Sequence, residues 1–123
     1  MRAARYDIII EQGASFEVTF KWTNKAGTAV NLTDLDFEMD IRPTIDSSTV
    51  ILTGSYEGST NTPSGNIVFS EGGALGTFGL QISRAVTAAL DFTTAVYDVE
   101  ISNVLNTFRV LYGNVFLAKE VTR

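Results

Sequence analysis

Between Ala95 and Gly113 the chain spells out a β-hairpin. Ala95 to Ser102 and Thr107 to Gly113 alternate apolar and polar residues, and the four residues Asn103 to Asn106 between them are turn formers. If Ser102 faces Thr107, then Ile101 stands opposite Phe108, Val99 opposite Val110 and Tyr97 opposite Tyr112. On the reverse face Glu100 meets Arg109, an opposite-charge cross-strand pair worth ~0.2–1 kcal/mol. A slip of one residue would turn the whole apolar set outward, so the register is well specified. Asn114 to Ala118 continue the second strand, and Gly113 between them marks a bulge or bend.

The same period of two recurs along the chain. Tyr6 to Ile10 is a short β-branched run closed by Gln12 and Gly13. From Ser15 to Trp22 the residues Phe16, Val18, Phe20 and Trp22 share one face, against Ser15, Glu17, Thr19 and Lys21 on the other. Asn24 to Gly27 is a turn, and Thr28 to Asn31 returns briefly as a strand. Asp36 to Arg42 alternates again, with Phe37, Met39 and Ile41 inward, and stops at Pro43. Val50 to Thr53 forms a short strand ended by Gly54, and Glu57 to Gly65, rich in Gly, Ser, Thr, Asn and Pro, reads as the longest exposed loop. Asn66 to Ser70 and Thr77 to Ser83 are strands around a turn at Gly72 and Gly73. Arg84 to Leu90 is the one helical stretch, a turn or two with Ser83 as its cap. Strands with a turn about every ten residues predict an antiparallel sandwich of about 7–9 strands in a single domain spanning 1–123. Residues 1–5 are read as an N-terminal arm and 119–123 as a C-terminal tail.

Composition removes much chemistry. A chain of 123 residues with 45% apolar content can bury a core without staples. It has no cysteine and no histidine. The thiolate nucleophile, the usual general base near neutral pH and the usual transition-metal ligands are therefore all missing. Net charge is −5 and pI about 4.5, which argues against nucleic acid as a partner. No apolar run is long enough to span a membrane, and Ile8 to Ile10 is too short for a signal-peptide core. Synthesis in the cytoplasm is expected.

The acid ladder Asp36, Glu38 and Asp40 puts carboxylates ~6–7 Å apart on one strand face, the nearest approach to a calcium site or an acid pair. A flat strand does not wrap an ion, so the ladder reads as a solvated face and no metal or cofactor is expected. Gly72 to Gly76 lacks the Lys-Ser/Thr ending of a phosphate loop and reads as a hairpin turn. Trp22 is in phase with Phe16, Val18 and Phe20 and reads as core, whereas Tyr56, beside the long loop, is expected to be the better exposed aromatic. Basic residues gather at the ends, in Arg2, Arg5, Lys119 and Arg123.

Three segments together resemble a known family: the opening from Tyr6 to Phe16, the central Val30 to Thr33 with Ile41 and Arg42, and the closing Tyr97 to Glu100, Arg109 to Gly113 and Glu120 to Arg123. The pattern is similar to small virion proteins of tailed bacteriophages related to the N-terminal domain of baseplate upper proteins. That resemblance implies an Ig-like β-sandwich and a non-enzymatic structural role in a virion. A tail, baseplate or fibre-attachment adaptor is the first expectation; a capsid decoration protein or a glycan-binding sandwich are the alternatives. Partners would be other virion proteins, with several copies of this chain per particle. Arg2, Arg5, Tyr6, Tyr56, Lys119, Glu120 and Arg123 are the expected partner contacts, and no catalytic residue is implied.

Overall fold

Alternating strands need a second apolar layer to cover their inward faces, and the chain supplies it by folding into two sheets. The computed structural model describes residues 3–121. Among these lie ten strands: β1 (Ala4–Arg5), β2 (Ile8–Glu11), β3 (Phe16–Lys21), β4 (Asp36–Arg42), β5 (Leu52–Glu57), β6 (Thr62–Gly65), β7 (Ile67–Glu71), β8 (Thr77–Ile82), β9 (Thr94–Ser102) and β10 (Thr107–Ala118). One short helix, α1 (Arg84–Ala88), bridges β8 and β9, and the Ser83 hydroxyl caps it by accepting from the Val86 N–H at 3.3 Å.

The larger sheet runs β1-β10-β9-β4-β5-β6, with β2 also on β10, and the smaller runs β3-β8-β7. This is the strand order of a variable-type Ig sandwich, in which two extra strands widen the sheet that carries the last hairpin. The expected Ig-like β-sandwich is therefore the fold. Its core is the apolar layer between the sheets, where Phe37 of β4 meets Phe69 of β7 at 5.5 Å and Phe78 of β8 at 5.7 Å. The chain has no cysteine, so this layer packs without the inter-sheet disulfide of antibody domains.

Four expectations change in detail. First, the hairpin register holds for Thr107, Phe108 and Arg109 opposite Ser102, Ile101 and Glu100, and then shifts. Val110 bulges, so Val99 faces Leu111 and Tyr97 faces Gly113. The bulge turns both Val110 and Leu111 inward, which buries one more aliphatic side chain than strict alternation allows. The kink thus precedes Gly113. That glycine serves close approach instead: a Cβ on it would collide with the Tyr6 carbonyl.

Second, β5 passes through Gly54, because the chain crosses between sheets directly against it and a Cβ there would strike Ile67. Third, the expected long loop is a hairpin: Glu57 ends β5, a turn follows, and Thr62, Pro63, Ser64 and Gly65 form the edge strand β6 that pairs with β5. Proline is tolerated there because an edge strand has no ladder on its outer side. Thr28 to Asn31, by contrast, contributes only the bridge from Thr23 to Ala29. Fourth, β1 and β2 lie parallel to β10 in an otherwise antiparallel sheet.

Candidate interaction surfaces

The expected contact residues fall into separate places. Arg2 and Arg123 lie outside the described residues. Arg5 is exposed on β1, opposite Tyr112, with its guanidinium 3.2 Å from Asp7. Tyr6 interrupts the parallel strands; its carbonyl accepts from the Tyr97 phenol, and its ring meets Phe20 edge-on at 5.0 Å. Burial, reinforced by Tyr6 and Asp7, pushes the Tyr97 phenol well above the ordinary tyrosine range, so it stays a donor. In antibody domains the tyrosine early in the corresponding strand bonds a few residues upstream. Here the bond reaches back 91 residues and ties the amino-terminal strap to the core.

Lys119 and Glu120 lie beyond the far end of β10. Lys119 Nζ sits 3.2 Å from Asp91, and the Glu120 N–H donates to Gln12 Oε1 at 3.0 Å. The rise of a strand puts Lys119 ~23 Å beyond the station of Arg5, so these two basic residues stand far apart. Tyr56 is a reversal: it is buried, stacks on Phe37 at 5.3 Å and donates to Asn61 Oδ1 at 3.0 Å. The hairpin of β5 and β6 replaces the expected loop and turns Tyr56 inward.

The outer face of the larger sheet is acidic. Glu38 stands directly opposite Glu100, and Asp40 opposite Asp98. Arg42 reaches Asp40 at 2.9 Å, and Arg109 reaches Asp98 at 3.9 Å while stacking on Tyr112 at 4.4 Å. The expected Glu100 and Arg109 are cross-strand partners, but the guanidinium leans toward Tyr112 and pairs with Asp98. Partial burial, then Asp98 and Glu38, hold the Glu100 carboxyl above its ordinary range, and Arg109 opposes them. Among the described residues no group of three acidic side chains is placed to hold a metal ion.

Several apolar side chains face solvent, among them Ile9, Ile45 and Leu75, and two features bring more than one together. At the apex of the β9–β10 hairpin, Val104 is 99% and Leu105 85% exposed. The apex is rigid, because Asn103 Oδ1 accepts from the N–H groups of Leu105 at 2.8 Å and Asn106 at 2.7 Å. In variable domains this loop is one of the three that carry recognition. The second feature is a groove of about 520 Å³ between β3 and the strap, lined by Tyr6, Phe20, Trp22, Phe78, Val110 and Leu111, with Lys21 and Lys25 at its mouth. Trp22 sits at this margin against Phe108, with ring centroids 5.9 Å apart, and is only partly buried.

No protein-family model matches the chain, and no curated protein matches it. Solved structures do. The chain is similar to the extracellular domain of the voltage-gated sodium channel beta4 subunit, described in terms of parallel homodimers and cell–cell adhesion. The TM-score is 0.52 at 13% identity, covering 98% of this chain and 97% of that one. A marsupial T cell receptor matches with a TM-score of 0.56 at 13% identity, covering 95% of this chain but 51% of that one. The likeness is one of fold.

Sequence reasoning did not single out Val104 and Leu105, although two aliphatic residues inside a turn bounded by asparagines were the available signal. The groove carries no such signal. It is made by strands far apart in the chain.

Proposed function

We propose that this chain is a non-enzymatic structural module that works by binding other protein chains. Following its sequence resemblance, we place it in the virion of a tailed bacteriophage, as a tail, baseplate or fibre adaptor made in the host cytoplasm. The observation that carries the binding role is the hairpin apex. A pair of adjacent aliphatic side chains held almost fully in water, on a turn whose backbone an asparagine fixes, has the form of a knob for a socket on a partner. Pre-ordering the loop removes part of the entropy cost of docking. The adhesion domain that shares the fold acts through copies of itself, which is in keeping with such a role.

Val104→Asp combined with Leu105→Asp tests the reading. These side chains contact little, so stability should change by less than ~0.5 kcal/mol, while incorporation into particles drops. Mass spectrometry of particles purified from the producing strain reads out both presence and copy number. A chain absent from particles overturns the virion assignment, and normal incorporation of the double variant overturns the apex as the contact.

A further inference from the structure

Among the described residues, no strand covers one edge of the smaller sheet. In the variable-type sandwich the first strand sits beside the second, so that the sheet has four strands. Here β1 and β2 both sit on β10, and among the described residues β3 pairs with β8 alone. The burial of β3 records this gap. Its inward residues Phe16, Val18 and Phe20 are only half-buried, whereas Phe78, Leu80 and Ile82 on β8 are fully buried. The aromatic groove runs along the same margin.

The backbone phase of β3 is known. The Trp22 N–H donates to the Gly76 carbonyl at 2.8 Å, and antiparallel pairs alternate, so even-numbered residues bond toward β8. The N–H and C=O groups of Glu17, Thr19 and Lys21 therefore point away from the sheet. Of the other edges, β1 and β2 have two and four residues, β6 carries Pro63 and a positive-φ Gly65, and β7, at the far margin of the smaller sheet, has five residues with Glu71 but no cation to pair it in a second copy. The longest of these edges is β3, with six residues, no proline, glycine or bulge, and both an acid and a base on its outer face. Such an edge templates pairing with another strand.

We infer that the occupant is β3 of a second copy of this chain, paired antiparallel about a two-fold axis through Thr19. That axis, perpendicular to the sheet, keeps inward faces inward. It sets Glu17 against Lys21 of the second copy, Thr19 against its own counterpart, and Lys21 against Glu17 of the second copy. Each of these pairs falls on the outward-pointing backbone groups and exchanges two hydrogen bonds. Inward, Val18 meets Phe20 and Phe16 meets Trp22, extending the apolar lining of the groove.

Charge selects this register. A slip of two residues leaves Glu17 opposite Thr19 or Thr23, and a slip of four sets Glu17 on Glu17 or Lys21 on Lys21. The two charges that would guard the edge against a foreign strand become complementary when the foreign strand is the same one.

Charge reversal tests the inference in the full chain, by sedimentation velocity at micromolar concentration in low salt, with circular dichroism to verify folding. The wild type is expected to be a dimer. Glu17→Lys alone and Lys21→Glu alone should each weaken it by about tenfold or more, since two attractions become repulsions. The two changes together should restore it. A monomeric wild type overturns the inference, as does a dimer indifferent to the single changes or not rescued by the double. None of these results bears on the hairpin apex, which has its own assay.

Discussion

The two sheets close their margins in opposite ways. The larger one is strapped: β1 and β2 lie along β10, the Tyr97 phenol holds the Tyr6 carbonyl, and Gly113 leaves room for the strap to pass. Its outer face, however, sets like charges opposite each other at Glu38 with Glu100 and Asp40 with Asp98. The smaller sheet has the reverse arrangement, with the open edge of β3 and a balanced Glu17 and Lys21 on its outer face. The difference teaches where binding potential sits in this fold. A sheet margin covered by its own chain contributes stability, and one left open is available to another chain.

The comparison breaks most sharply at Gly113. Gly113→Ala forces a Cβ into the Tyr6 carbonyl and should cost about 2–3 kcal/mol in urea unfolding. An unchanged midpoint would mean that the strap does not close the larger sheet. Tyr97→Phe comes next, with a loss of about 1–2 kcal/mol because the partly buried Tyr6 carbonyl is left without its donor. The pH dependence has a definite sign. The folded phenol keeps its proton while the unfolded one ionises near pH ~10, so stability contributed by Tyr97 is present below that pH and declines above it. Tyr97→Phe should flatten this alkaline decline, and hydrogen exchange should show residues 4–8 opening first.

On the open side, Thr19→Pro removes an N–H that the single chain does not use. It should change the stability of the monomer by less than ~1 kcal/mol, measured by thermal unfolding; a larger loss would place that N–H inside the monomer's own bonding. The smallest effect belongs to the acidic face. Glu100→Gln should stabilise by about 0.5 kcal/mol at neutral pH by relieving its like-charge neighbours. Because the folded carboxyl binds its proton more tightly than an ordinary glutamate, that gain should vanish as pH falls and Glu100 protonates. A gain that persists in acid would point to packing rather than charge.

Much of the fold was legible residue by residue. Strand β4 occupies the same span, Asp36 to Arg42, that alternation predicts, β3 is shorter than expected by one residue at each end, and β8 by one residue at its far end. These strands have one wet face and one buried face, so period two survives in the sequence. Gly54 and Pro63 misled because residues that end a strand in isolation also serve close approach and edge positions. Of the site, Arg5 was expected in an N-terminal arm and Tyr6 as a partner contact, whereas both lie along β10 of their own chain; the Val110 bulge, the inward turn of Tyr56 and the shift of Arg109 to Asp98 were not visible either. Each depends on what stands opposite.

By itself, then, the sequence determined an all-β sandwich with an acidic surface and neither thiol nor imidazole chemistry, since these follow from local alternation and from residue types that are present or missing. Tertiary structure alone decided which margin is closed. Parallel pairing of β1 and β2 with β10 joins residues more than a hundred positions apart, a choice set by the room above Gly113 and the reach of Tyr97 rather than by any local pattern. That choice leaves β3 exposed.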